Sequence, residues 1–149
     1  MDKEYPVRKA TNADVPSIAR MSCAIWHSST LEELSADFSR MIDFPENAVF
    51  VVFSAAEPAG FAQCGLRHDY VEGTMSSPVG YLEGIYVDPN FRRQGLAKLL
   101  LTACENWARN LGCTEFASDC ELNNSDSLNF HLGLGFSEAN RIICFTKKL

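Results

Sequence analysis

In VDPNFRRQGLAKLL, at Val87–Leu100, a strand, a turn and a helix follow one another. An apolar strand ends at a proline, and Gly95 stands just before an amphipathic run of leucines. The first N–H groups of a helix have no partner within it and carry partial positive charge, so this junction suits a phosphate group. Gly95 lets a ligand approach the backbone closely, and Arg92 and Arg93 add positive charge. The stretch therefore predicts a pyrophosphate-binding turn at a helix start.

The glycine pattern of this turn differs from two widespread phosphate-binding motifs. It is neither the G-x-x-x-x-G-K-[ST] of a P-loop nor the G-x-G-x-x-G of a dinucleotide-binding turn. The pattern is R-x-x-G-x-A, with the small Ala97 at its end, and it follows a strand that ends in V-D-P. Together with LGLGF at residues 132–136, it resembles the acetyl-CoA site of the GNAT superfamily of N-acetyltransferases.

Hydrophobic periodicity predicts alternating helices and strands along the whole chain. We expect strands at residues 5–10, 47–55, 61–68, 81–87, 114–119 and 141–148, and helices at residues 13–26, 30–41, 95–110 and 125–134. EPAG is expected to be the turn of a hairpin over residues 48–67, and residues 69–78 a polar loop. This order predicts one domain, residues 1–149, of the α/β (α+β mixed) class, with helices on both faces of a mixed sheet. The resemblance to GNAT proteins implies that this sheet splays between its fourth and fifth strands.

The composition of the chain indicates which classes of binding partner it suits. Its 149 residues include 13 basic and 19 acidic side chains, a formal net charge of −6, which argues against nucleic acid and favours a cationic small molecule. The opening MDKEYPVRKA predicts no secretory signal, and no run is long and apolar enough to span a membrane, so we expect a cytoplasmic protein. The six cysteines form no C-x-x-C pair and have no histidine at ligand spacing, so we expect buried thiols and no metal site.

The GNAT resemblance also implies which residues hold acetyl-CoA. The pantetheine arm is expected between the strands YLEGIYV and TEFASD, where it pairs with backbone groups of Ile85 and Val87. Backbone N–H groups of the turn are expected to hold the pyrophosphate beside Arg92 and Arg93; these are the N–H groups of Gln94, Gly95, Leu96 and Ala97. Asn124 stands where the superfamily often places an asparagine before the last helix.

Three further stretches carry a narrower resemblance: LRHDYVEGTMSSPVGYLEGIYV at residues 66–87, GCTEFASD at 112–119 and HLGLGF at 131–136. Together they look very similar to the aminoglycoside 6′-N-acetyltransferases, a bacterial antibiotic-resistance family. The resemblance is dense from about Arg67 to the C-terminus and thin before it. It implies an acyltransferase that moves the acetyl group of acetyl-CoA to the 6′-amine of an aminoglycoside. It also implies that the substrate site is lined by Trp26, Tyr70, Glu83 and Asp119.

Each of these four residues also has an ordinary structural explanation. Glu83 interrupts an apolar strand and Asp119 closes the next one, but an edge-strand charge and a strand-end cap would look the same. Tyr70 fits a loop aromatic equally well, and Trp26 fits a core residue.

The implied mechanism is direct attack of the amine on the thioester. A primary amine has a pKa of about 10, so a proton must leave, and Glu83 is the candidate base, directly or through water. The backbone N–H of Ile85 is the candidate donor to the oxyanion. Many GNAT proteins place a tyrosine in the last helix that protonates the leaving thiolate; His131 stands there and acts either as a weak acid or as a packing residue. Asn140 replaces an acidic substrate contact of some relatives.

Two other functions fit the same residues. One is a GNAT protein that acetylates a different amine, such as a polyamine or a protein N-terminus. The other is a CoA-binding protein without turnover. By resemblance we also expect a homodimer formed through RIICFTKKL at residues 141–149, because its apolar run makes an exposed edge.

Overall fold

The computed structural model describes residues 3–149 and contains one mixed five-stranded sheet with helices on both faces. The strands lie in the order β1-β2-β3-β4-β5; their bounds are Val7–Lys9, Asn47–Ser54, Glu57–Arg67, Val79–Val87 and Phe116–Ala117. The first four strands pair antiparallel, and β5 pairs parallel to β4. Helices α1 to α4 span Val15–Ser22, Leu31–Asp43, Leu96–Asn110 and Ser125–Gly133. The predicted mixed architecture is confirmed.

Helix α2 begins at a side-chain cap that the sequence contains. At the start of α2, the Glu33 N–H donates to Thr30 Oγ1 at 3.1 Å, and the Thr30 N–H donates to Glu33 Oε2 at 2.8 Å. The predicted helix over residues 13–26 is shorter, because a 3₁₀ turn precedes α1 and α1 ends at Ser22. The Ser22 hydroxyl donates to the Ala19 carbonyl at 2.9 Å and competes there with the helical ladder.

The sheet separates two hydrophobic layers. On one face, α3 packs through Leu100, Cys104 and Trp107 against the middle strands. On the other face, α1 and α2 pack against Phe61 of β3, which is fully buried beside Phe38. β5 pairs only with the first residues of β4, so the sheet is open along the rest of that edge of β4.

The hairpin of β2 and β3 is confirmed, but its turn is not EPAG. The turn lies at Ala55 and Ala56, where Ala55 has φ +54°, and Glu57 already pairs with Ser54. The register moves so that Phe53 faces Pro58, with Ala59 as an extra residue in β3. This bulge lets the strand accommodate a proline, which cannot donate to the ladder.

The predicted final strand over residues 141–148 is wrong for this chain alone. Within residues 3–149 this segment joins no strand, and its apolar side chains are exposed, with Ile143 at 78% and Phe145 at 88%. A strand needs a hydrogen-bonded neighbour, and the sheet ends at β5. The predicted strand at residues 114–119 is shortened to Phe116–Ala117 for the same reason.

The N-terminal turn gives a test of stability. The guanidinium of Arg8 donates to the Asp14 carboxylate at 2.6 and 2.9 Å, and the Thr11 N–H donates to it at 2.8 Å. The bond from Arg8 is the largest cause that lowers the pKa of Asp14. The resulting stabilisation is complete above the unfolded-state pKa of about 4 and is lost as pH falls through the lower folded-state pKa.

We therefore expect Asp14→Asn to lower the free energy of unfolding by about 1–2 kcal/mol at pH 7, measured by urea denaturation. The difference from wild type should shrink as the pH falls below about 4. Glu138→Gln is the control, because its ion pair with Arg141 is exposed and should matter little. A loss at pH 7 equal to that of the control would contradict this role of Asp14.

Candidate active site

Strands β4 and β5 pair over only two residues and then separate. Gly80 faces Phe116 and Tyr81 faces Ala117, and no residue after Tyr81 pairs with β5 within the described chain. At the fork, the Ser118 hydroxyl lies 3.2 Å from the Leu82 carbonyl and donates to it. The second half of β4 therefore has β3 on one side and an open edge on the other, which confirms the predicted splay.

Glu83 is the extra residue of a β-bulge at this fork. In the register of β3 and β4, Gln63 faces Gly84 and the next residue, Cys64, faces Leu82, so Glu83 has no partner. Bulges redirect side chains and are common beside active sites. The bulge explains how a charged residue interrupts an apolar strand: it turns Glu83, the one exposed residue of β4, out of the ladder.

The bulge also changes which backbone groups face the open edge. Before it, the Gly80 N–H and the Leu82 carbonyl point toward β5. After it, the Asp88 N–H donates to Ala59 of β3 at 2.9 Å. Neighbouring residues of a strand point their backbone groups to opposite edges, so the alternation places those of Ile85 and Val87 on the open edge.

The Glu83 carboxylate belongs to a network of charged and aromatic groups. Arg67 Nη2 donates to both Glu83 oxygens, at 2.8 and 3.0 Å, and its guanidinium lies 3.4 Å from the centroid of the Tyr81 ring. The Tyr81 hydroxyl donates to the carboxylate of Asp119. Two of the four predicted substrate residues, Glu83 and Asp119, are thus brought together by two residues that the sequence analysis did not select.

Protonation in this network follows from burial and charge. Burial, and then the hydrogen bond to Asp119, raises the pKa of Tyr81, so its hydroxyl stays a donor. Burial alone would lower the pKa of Arg67, but the bonds and charge of Glu83, with smaller effects of Tyr81 and Asp119, raise it overall. The network therefore holds a fixed cation between two carboxylates.

Trp26 lies on the opposite side of β4 from α3 and covers Gly84. A Cβ built on Gly84 would lie 2.7 Å from the indole ring, so only glycine fits beneath it. The ring centroid of Phe38 lies 6.2 Å from that of Trp26. Trp26 and Glu83 line one cavity, whereas Tyr70 is 76% exposed in the loop before β4 and lies outside it.

That loop is tied to its surroundings by polar contacts. Glu115 accepts the Met75 N–H at 2.8 Å and the Ser76 hydroxyl at 2.6 Å, and these two bonds lower the pKa of Glu115. Asn140 Nδ2 donates to Glu72 at 2.9 Å, which connects the C-terminal segment to the loop. Asn140 therefore positions an acidic residue instead of supplying the charge itself.

His131 is held on both ring nitrogens. Its Nδ1 lies 2.7 Å from the Ser127 carbonyl, and because a carbonyl only accepts, Nδ1 carries a proton. Its Nε2 lies 2.8 Å from the hydroxyl of Ser118, the residue at the fork. His131 thus reaches the open edge of β4 through Ser118, which sequence reasoning missed. Asn124 caps α4 by accepting the Ser127 N–H at 3.1 Å.

The start of α3 has the open geometry that the sequence predicts. Gly95 has φ +82° at the N-cap position, and no side chain caps the helix there. Gln94 is held by the Tyr5 hydroxyl, and Arg93 has φ +61°, a conformation that is uncommon outside glycine. The Arg92 Nε donates to the Val87 carbonyl at 2.9 Å, so this arginine folds back on β4.

Between residues 3 and 149, no three His, Cys, Asp or Glu side chains cluster as metal ligands. Over the same part of the chain, no helix combines the length and the apolar character needed to cross a bilayer.

Comparisons with known proteins agree with this geometry. The model of the acetyltransferase (GNAT) family matches residues 17–136. The aminoglycoside N(6′)-acetyltransferase type 1 of Stenotrophomonas maltophilia is 40% identical over 96% of this chain and 93% of its own length. The enzyme of the same name from Klebsiella aerogenes is 39% identical over the full length of both chains.

Solved structures give the same result. AAC(6′)-Iy in complex with CoA superposes with a TM-score of 0.95 and 34% identity, covering 100% of this chain and 98% of its own. AAC(6′)-Iy bound to the bisubstrate analogue CoA-S-monomethyl-acetylneamine superposes with a TM-score of 0.93 over 98% and 99% of the two chains. The family model and these relatives, together with the splayed sheet and the open helix start, show that the chain belongs to the acetyltransferase (GNAT) family.

Proposed function

We propose that this protein is an aminoglycoside 6′-N-acetyltransferase, which transfers the acetyl group of acetyl-CoA to the 6′-amine and confers resistance. The observation that carries this proposal is the position of Glu83, a carboxylate in a bulge beside the open edge of β4 and at the wall of a cavity. The names of the relatives, at about 40% identity over nearly the whole chain, support the same substrate class.

The residues at the open edge fit acetyl-CoA. The uncapped start of α3 offers backbone N–H groups to the pyrophosphate, and Arg93 adds charge beside it. Ile85 and Val87 offer backbone groups to the pantetheine arm. The Val87 carbonyl already accepts from Arg92, so Val87 offers only its N–H. When bound, acetyl-CoA supplies the activated acetyl group.

Glu83 then has to accept a proton from an ammonium group without trapping it. A carboxylate beside an ammonium favours the charged amine. Because Arg67 already donates to both oxygens of Glu83, the carboxylate attracts the substrate ammonium less strongly. Glu83 orients the amine and takes its proton, directly or through water, while the Ile85 N–H donates to the oxyanion.

The thiolate that leaves requires little acid assistance, since a thiol of this kind has a pKa of about 8.5. His131 would act on it only through the Ser118 hydroxyl, because both of its ring nitrogens are engaged. In the alternative, His131 is a packing residue that holds α4 against Phe136; the two ring centroids lie 5.2 Å apart.

The test compares CoA-thiol release with kanamycin B and with kanamycin C, which differs by a hydroxyl in place of the 6′-amine. We expect turnover with the first drug only. Glu83→Gln should lower kcat/KM by about 100-fold or more, because it removes the proton acceptor and keeps the side-chain shape. Glu46→Gln, whose carboxylate pairs with His68 and makes no contact with Arg67 or Glu83, is the control and should leave kcat/KM unchanged.

Two outcomes would reject the proposal in favour of an alternative. Turnover with spermidine or peptides but with no aminoglycoside would keep acetyl-CoA and change the substrate. Binding of acetyl-CoA without amine-dependent thiol release would indicate a non-catalytic CoA-binding protein.

We also propose a single catalytic domain that works as a cytoplasmic homodimer. The support for the dimer is the C-terminal segment over residues 141–149, which is apolar and exposed and has no strand partner within the described chain. A second copy of the same segment would provide the missing strand.

Light scattering after size exclusion is expected to give a dimer mass for the wild type. Ile143→Asp should shift that mass to a monomer at micromolar concentration, because it places a charge in the proposed interface. Leu122→Asp, at an exposed leucine outside the segment, should remain dimeric. A monomeric wild type would contradict the proposal.

A further inference from the structure

Gln63 is a polar residue at a core position of β3. Side chains two residues apart share one face of a strand, so Gln63 lies on the same face as the fully buried Phe61. Only 8% of Gln63 is exposed, yet within residues 3–149 its side-chain amide forms no hydrogen bond. Apolar residues are the usual occupants of such a core position.

The amide of Gln63 opens into the cavity that Glu83 and Trp26 also line. This cavity has a volume of about 240 Å³, and residues of α2, among them Asp37, also line it. Among the described residues, no fully enclosed side-chain nitrogen or oxygen lacks a partner. The Gln63 amide therefore faces the cavity, where an incoming ligand can reach it.

We propose that Gln63 is a specificity-determining residue, which binds a ring hydroxyl of the sugar that carries the reacting amine. This inference rests on the proposed function and adds a second contact to the same substrate. A neutral amide both donates and accepts, so it matches a hydroxyl, whereas the carboxylate of Glu83 matches the ammonium group. In a 6′-amino sugar the 4′- and 3′-hydroxyls are the ring substituents that follow the aminomethyl carbon. Gln63 and Glu83 would therefore contact adjacent parts of one ring.

The experiment pairs one substitution with three drugs that all carry the 6′-amine. Kanamycin B has both hydroxyls, tobramycin lacks the 3′-hydroxyl, and dibekacin lacks both. Gln63→Leu should lower kcat/KM for kanamycin B by about 5- to 20-fold, the effect of one lost hydrogen bond to a substrate. For dibekacin the same substitution should change kcat/KM by less than about 2-fold, because no hydroxyl is there to lose its partner.

An equal loss for all three drugs would overturn the proposal, because it would mean that Gln63 only supports the fold. The KM for acetyl-CoA and the thermal midpoint are measured alongside, and both should stay at wild-type values. If Gln63→Leu does not fold, Gln63→Met, which keeps the length of the side chain without the amide, answers the same question. A wild type that acetylates none of the drugs would instead reject the proposed function, and the Gln63 assignment with it.

Discussion

The separation of β4 from β5 is the constraint on which the rest of the site depends. After Tyr81 the two strands no longer pair, so β4 keeps an unpaired edge inside the molecule. In a continuous sheet the N–H and C=O groups along this edge would form hydrogen bonds with the next strand. Here the backbone groups of Ile85 and the Val87 N–H have no partner in β5, whereas the Leu82 and Val87 carbonyls accept from Ser118 and Arg92. The start of α3 is also uncapped. One fork in the sheet thus leaves open both groups of backbone donors that we propose for acetyl-CoA.

The bulge at Glu83 adds the proposed proton acceptor to this fork. The extra residue switches which residues of β4 point their backbone groups toward β5, so that those of Ile85 and Val87 face the open edge. The Glu83 carboxylate itself lines the cavity that Trp26 also lines. Arg67 holds that carboxylate by charged hydrogen bonds, which fix its orientation more firmly than neutral ones do. In the proposed function, the carboxylates at the fork attract an amino sugar, and the Arg67 guanidinium limits how tightly its ammonium group is held.

Local sequence signals predicted part of the geometry at the fork. Gly95 before a leucine-rich helix and Glu83 inside an apolar strand are irregular at their positions, and the structure places the first at an uncapped helix start and the second in a bulge. Arg67, Gln63 and Ser118 were missed because their contacts depend on which residues face one another across the sheet or the fork, and no local pattern in the sequence shows that. The segment over residues 141–148 has the composition of a strand but lacks a neighbour in this chain, which no local pattern reveals.

The most direct test of the central claim is amide hydrogen exchange with and without saturating acetyl-CoA, followed over residues 82–87 of β4 and 94–97 of the α3 start. We predict that exchange slows at least about tenfold in both segments, because the ligand supplies partners that the fork leaves open. Protection at the α3 start without any at β4 would contradict the claim that the open strand edge binds the co-substrate.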